Sequence, residues 1–162
     1  MFGSLKKMLG GNSNKKVILS PVEGSAVPMK EVKDPVFSDE ILGKGVAIIP
    51  SKGRVVSPAD GEVVVMFDTK HAVSIKTEDG AEIIIHIGLD TVNLQGRHYT
   101  SHVKAGDHVK AGDLLVEFDI EKIKEEGYDV ITPVIICNTP EFPDMVCHTG
   151  MQVNELDKII DL

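Results

Sequence analysis

Two histidines, His71 and His86, bracket the stretch FDTKHAVSIKTEDGAEIIIHIGLD that runs from Phe67 to Asp90. An imidazole titrates near neutrality and can shuttle a proton, bind a metal or act as a nucleophile. Two of them side by side leave four readings open. They are unrelated surface side chains; they are two ligands of a zinc site; one is a general base; or one takes a phosphoryl group while the other donates a hydrogen bond to it. Zinc asks for three or four ligands. Asp90 could be a third, but the chain has no H-x-H, C-x-x-C or H-E-x-x-H spacing. A general base needs a substrate pocket, and no motif announces one. Phosphoryl capture needs a nucleophilic nitrogen and a donor aimed at the phosphoryl oxygens.

Whether the rings can meet depends on the element that carries them. The segment reads as a hairpin, with its turn inside TEDGA. Asp79-Gly80 is a favoured two-residue loop; it sets His86 opposite Val73, with His71 as the diagonal neighbour. A Glu78-Asp79 loop sets His86 directly opposite His71. Either loop puts both rings on one face, with Cβ atoms about 5 to 7 Å apart. Only a bulge or an odd loop length would separate them. Ile83, Ile85 and Ile87 alternate toward the core, so His86 shares the outer face with Ile84. Thr69 has the parity of His71 and could orient it. Gly88, two residues past His86, keeps bulk away from that ring. His98, His102 and His108 sit in the polar stretch GRHYTSHVKAGDH and read as solvated loop positions, and His148 beside Cys147 has no second pair to complete a metal site.

The rest of the chain supplies short Val/Ile-rich runs closed by Gly, Pro, Asp or Asn: KKVILSP, VAIIP, RVVSP, DGEVVVMF, LLVEFD, VITPVIIC and KIIDL. That punctuation predicts an all-β sandwich or barrel, antiparallel, with few short helices. One helical turn is expected in DEILGKG (39–45) and two in IEKIKEEGY (120–128). Two echoes stand out. VKAGDHV (103–109) runs into VKAGDLL (109–115), and SPVEGSAV (20–27) returns as SPADGEVV (57–64). Such strand-turn units are structural.

The 162 residues suit a single domain spanning 15–162. Residues 1–14 read separately. Phe2, Leu5, Met8 and Leu9 have helical spacing with Lys6 and Lys7 turned away, and a Gly-Gly-Asn linker follows. The 1–9 piece suits weak contact with an anionic membrane. A net charge of −8 argues against nucleic acid. No apolar run reaches the roughly 18 residues of a membrane span, and no signal peptide is apparent. A cytoplasmic protein with Cys137 and Cys147 as free thiols is expected.

At HAVSI…IIIHIGLDTVNLQG the sequence closely resembles the glucose-type enzyme IIA proteins of the bacterial phosphoenolpyruvate–sugar phosphotransferase system. SPVEG, DPVFSDEILGKGVAIIPSKG, SPADGEV, VKAGD and VITPVIICN carry the same likeness, which spans the chain from about Val17. The resemblance implies an antiparallel β-sandwich around a hybrid-motif barrel with biotinyl/lipoyl-like repeats. It implies a phosphotransferase component that takes a phosphoryl group from the phosphocarrier HPr on His86. The group then passes to a cysteine of enzyme IIB, which serves the IIC permease in uptake of glucose or a related sugar. On that likeness His71 stabilises the phosphoryl group, Thr69 orients His71, and the Gly88 carbonyl fixes the tautomer of His86. Val36, Phe37, Ile41, Phe67 and Ile84 resemble an apolar collar for HPr and IIB. Asp34 and Asp90 resemble its acidic rim. No cofactor is required, although Zn2+ could sit on His71 and His86. A monomer working at the inner face of the membrane, with regulatory targets in some relatives, completes the expectation. A biotinyl or lipoyl carrier would need its lysine in an exposed hairpin turn; Lys30 in VPMKEV is a faint echo and leaves the histidine pair unexplained. A zinc peptidase of a related barrel class would need the missing H-x-H.

Overall fold

The computed structural model describes residues 16–162. The predicted 1–9 helix and its linker to residue 14 lie outside the described residues. Among the described residues fourteen strands follow one another: β1 (Val17–Leu19), β2 (Gly24–Pro28), β3 (Lys44–Pro50), β4 (Arg54–Val56), β5 (Gly61–Met66), β6 (Ala72–Thr77) and β7 (Glu82–His86), then β8 (Tyr99–Ser101), β9 (His108–Val109), β10 (Leu114–Phe118), β11 (Thr132–Ile136), β12 (Val146–Cys147), β13 (Met151–Val153) and β14 (Lys158–Asp161). Each Val/Ile run named above became a strand. The four that sequence patterning missed, β8, β9, β12 and β13, are two or three residues long and carry few β-branched side chains.

The helices are short. α1 (Pro35–Ser38) begins at Asp34, whose side chain accepts from Val36 N–H at 3.0 Å, with proline in the first turn. α2 (Ile120–Glu125) begins at Asp119, which accepts from Lys122 N–H at 3.1 Å. The turn expected over 39–45 therefore lies earlier. The N-cap and Pro35 start it before the DEILGKG stretch, and Glu40 at φ 57 ends it.

The main sheet has eight strands in the order β9-β5-β6-β7-β11-β3-β2-β13, flanked by three-stranded sheets β4-β10-β8 and β12-β14-β1. Every pairing is antiparallel. Between the sheets lies one core that includes Ile18, Ile48, Ile75, Ile83, Ile85, Ile87, Leu115, Ile136 and Ile159. Each buried isoleucine contributes roughly 1.5–3 kcal/mol. A second, smaller cluster covers part of the other face of the main sheet: Met29, Val32, Phe37, Ala47, Leu89, Ile131 and Ile135, with Val27 and Ile84 at its margin.

The repeats join the sheets. In VKAGD (103–107) Lys104 N–H donates to Asp107 Oδ2 at 3.0 Å, and in VKAGD (109–113) Lys110 N–H donates to Asp113 Oδ2 at 2.9 Å. A third copy stands at VNELD (153–157), where Asn154 N–H donates to Asp157 Oδ2 at 2.8 Å. Its Leu156 takes φ 75 where Gly106 and Gly112 take φ 94 and 96. The two SP turns dock on these loops, Ser57 N–H to Asp113 O (2.8 Å) and Ser20 N–H to Asp157 O (2.6 Å).

Candidate functional site

The hairpin loop has three residues, Glu78-Asp79-Gly80, and neither of the two-residue loops expected from sequence. Thr77 N–H donates to Ala81 O at 2.9 Å, and Gly80 takes φ 92. The extra residue shifts the pairing by one, so Ala72 stands opposite His86 and Val73 opposite Ile85. An odd loop should have parted the two imidazoles. It does not, because His71 lies just before β6, outside the regular pleat. A turn through Phe67–Lys70, closed by Lys70 N–H to Phe67 O at 2.8 Å and with Lys70 at φ 61, delivers it. Its carbonyl still accepts from Ile87 N–H at 2.6 Å. The rings of His71 and His86 meet edge to face, with centroids 4.8 Å apart and planes at 82°.

Each ring is anchored through Nδ1. Thr69 Oγ1 lies 2.6 Å from Nδ1 of His71. Nδ1 of His86 lies 2.7 Å from the carbonyl oxygen of Gly88. A carbonyl only accepts, so Nδ1 of His86 carries the proton and Nε2 keeps its lone pair. Gly88 is a glycine for two reasons: φ is 92, and a Cβ would stand 2.6 Å from Thr91 Cγ2 and 2.9 Å from Asp129 O. Sequence reading missed the hydroxyls that brace this corner. Thr91 and Tyr99 both donate to Ile87 O at 2.7 Å. Burial holds the Tyr99 phenol up at about 12, so it remains a donor. No local pattern marks Tyr99, which is brought in from twelve residues away.

Both imidazoles are neutral at pH 7. Burial, then repulsion from His86, lowers the pKa of His71 to about 4. Burial also lowers that of His86, against the pull of the Gly88 carbonyl, Asp34 and Asp90. A neutral ring has a usable nitrogen lone pair; a protonated one has none.

Around the pair, Phe37 packs tilted on His86 at 5.0 Å and Phe67 lies edge-on to His71 at 5.6 Å. Phe37, expected as a collar side chain, is 5% exposed. It is a wall of the second cluster and leaves little for a partner to touch. Val36 and Ile41 are exposed, and Phe67 and Ile84 half-buried. Leu42, Val64 and Val65, not singled out from sequence, add to the exposed apolar surface. Val64 and Val65 are adjacent yet both exposed, because the β5–β6 register slips between Val63 and Val65. Val73 is fully buried, and Ser74 is the residue opposite Ile84. Among the described residues no group of three or more His, Cys, Asp or Glu side chains could hold a metal. His98, His102 and His148 each face a carboxylate, of Glu126, Glu117 and Asp161. Cys137 and Cys147 are free.

Residues 16–142 match the family model of the phosphoenolpyruvate-dependent sugar phosphotransferase system, EIIA 1. The chain is 50% identical over 139 residues to the PTS system glucose-specific EIIA component of Oceanobacillus iheyensis, covering 86% of this chain and 84% of that one. It is 54% identical over 129 residues to the PTS system beta-glucoside-specific EIIBCA component of Bacillus subtilis, covering 80% of this chain but only 21% of that longer protein. The fold superposes on the glucose permease IIA from Mycoplasma capricolum with a TM-score of 0.85 at 34% identity, over 91% of this chain and 95% of that one. The sandwich is thus the one the resemblance implied. The chain belongs to the EIIA 1 family of the phosphoenolpyruvate-dependent sugar phosphotransferase system and is a phosphotransferase component of that system.

Proposed function

We propose that His86 accepts a phosphoryl group on Nε2 from phospho-HPr and passes it to a cysteine of an enzyme IIB domain, in uptake of glucose or a related sugar. One observation carries this reading: the 2.7 Å contact of His86 Nδ1 with the Gly88 carbonyl. It commits the proton to Nδ1 and leaves Nε2 bare beside a second imidazole. As the phosphorus–donor bond breaks, the Nε2 lone pair forms the new bond, and the Nδ1 proton stays where it is. The phosphorylated ring therefore becomes cationic. The Gly88 carbonyl, Asp34 and Asp90 offset that charge, and a cationic ring is the better leaving group for the onward step. His71 stabilises the phosphoryl oxygens by donating from Nε2, provided the Thr69 hydroxyl donates to its Nδ1.

The exposed Val36 and Ile41, the half-buried Phe67 and Ile84, and the carboxylates Asp34 and Asp90 are the surface HPr and IIB would meet. Relatives support IIB and IIC as partners, since the beta-glucoside-specific protein carries a IIA part fused to B and C parts. The sugar is glucose or a β-glucoside on the names of those relatives. No step requires a metal. The two imidazoles supply two of the three or four ligands zinc takes, so zinc would need a carboxylate from a regulatory partner. The reading includes a monomer at the inner face of the membrane, touching it weakly through residues 1–9. No helix among the described residues is long and apolar enough to cross a membrane.

Incubation with phosphoenolpyruvate, enzyme I and HPr, followed by intact-mass measurement, tests this. One acid-labile phosphoryl group should appear on the wild type and none on His86→Gln. Labelling of the variant at the wild-type level would sink the assignment.

A further inference from the structure

The His86–Gly88 hydrogen bond depends on a strand ladder that is undone beside it. β7 and β11 run antiparallel with Ile85 opposite Val134 and Ile84 opposite Ile135. Continued past the strand ends, that register sets His86 across from Pro133 and Gly88 across from Ile131. Gly88 N–H does donate to Ile131 O, at 3.1 Å. In a regular ladder such a pair exchanges both bonds, so Ile131 N–H would return to the Gly88 carbonyl. It donates instead to Asp129 Oδ1 at 2.9 Å. The carbonyl left over accepts Nδ1–H of His86. The backbone of Asp129 acts on the same peptide: its carbonyl accepts from Leu89 N–H at 3.0 Å, which holds the plane that carries Gly88 O. Across from His86, Pro133 has no N–H to offer.

We propose that Asp129 is a positioning residue for His86. Its side chain takes the amide that would otherwise claim the Gly88 carbonyl, and so keeps the His86 proton on Nδ1 and Nε2 bare. The proposal rests on the reading of His86 as the phosphoryl acceptor. Without the carboxylate, the amide of buried Ile131 needs another acceptor. The Gly88 carbonyl is the one the register offers. Nδ1–H then shares its partner, and the tautomer with the proton on Nε2, which cannot attack, gains population.

The test uses the full chain with Asp129→Ala and Asp129→Asn. Asp129 is exposed, so both substitutions leave the core untouched. The first readout is the 15N spectrum of the His86 imidazole at alkaline pH, which needs no partner protein. Wild type should show the Nδ1–H tautomer. Asp129→Ala should shift toward Nε2–H, and its phosphorylation by phospho-HPr should slow about fivefold, the size of one ordinary hydrogen bond. Asp129→Asn keeps an acceptor oxygen and should restore both. An Asp129→Ala protein that melts lower yet keeps the wild-type tautomer would reduce Asp129 to a structural cap and overturn the proposal. If wild type takes no phosphoryl group, the carrier reading fails separately, and the tautomer comparison still decides the role of Asp129.

Discussion

The ring of His71 stands edge-on to that of His86 at 4.8 Å, although the cross-strand partner of His86 is Ala72. Adjacency is therefore set by the Phe67–Lys70 turn and not by the hairpin register. The consequence is a division of labour. On the proposed reading His86 keeps a bare Nε2 through Gly88, and His71 donates from its own Nε2 when the Thr69 hydroxyl donates to its Nδ1.

His71→Gln should still accept a phosphoryl group, because the nucleophile is untouched. Onward transfer to IIB should fall by roughly a hundredfold or more, about 3 kcal/mol, the cost of losing one aimed donor in comparable sites. Rapid-quench measurement of both half-reactions separates the two. Equal loss in both steps would contradict the separate roles.

Stability should depend on the buried pair. The unfolded His71 takes up a proton near pH 6.5, whereas the folded one resists until about 4. The unfolded state therefore binds more protons as pH falls, and stability present at pH 7 is lost between about 6.5 and 4. From pH 7 to 5 the loss from His71 is about 2 kcal/mol, and His86 adds in the same direction. Urea unfolding of wild type and His71→Gln at the two pH values should show a smaller acid loss in the variant. An unchanged loss would place the acid sensitivity elsewhere.

Leu156→Gly should be more stable than Leu156→Ala by up to about 1 kcal/mol, since both lose the leucine side chain and only glycine is at ease at φ 75. A left-handed conformation costs a non-glycine residue about 1–2 kcal/mol, partly offset by the extra freedom of glycine in the unfolded chain. Leu156 is 39% exposed, so the packing of its covered part is lost in both variants and drops out of the comparison. A urea midpoint for Leu156→Gly no higher than that of Leu156→Ala would mean that the backbone at this corner carries no strain.

The sequence made the sandwich legible because nearly every core strand is a Val/Ile run ended by a breaker, and it made His71, His86, Thr69 and Gly88 a candidate group. It misled on the hairpin loop, since Asp79-Gly80 suits a two-residue turn as well as the three-residue one that Thr77 and Ala81 close. It placed Phe37 on the surface because its neighbours are polar; the cluster that buries it draws on Met29, Leu89 and Ile131, far apart in the chain. The third copy of the loop repeat was hidden by Leu156 standing where the others have glycine. Asp129 gave no local signal at all, since its part is defined by which strand amide it diverts.

Whether Nε2 of His86 is the acceptor is decided by the position of the phosphoryl group on the ring. The phosphorylated protein, labelled with 15N at histidine, can be read through its phosphorus–nitrogen and nitrogen–proton couplings. A single phosphohistidine is expected, on Nε2 of His86, with the proton still on Nδ1 beside the Gly88 carbonyl. A phosphoryl group on Nδ1 of His86, or on His71, would contradict it.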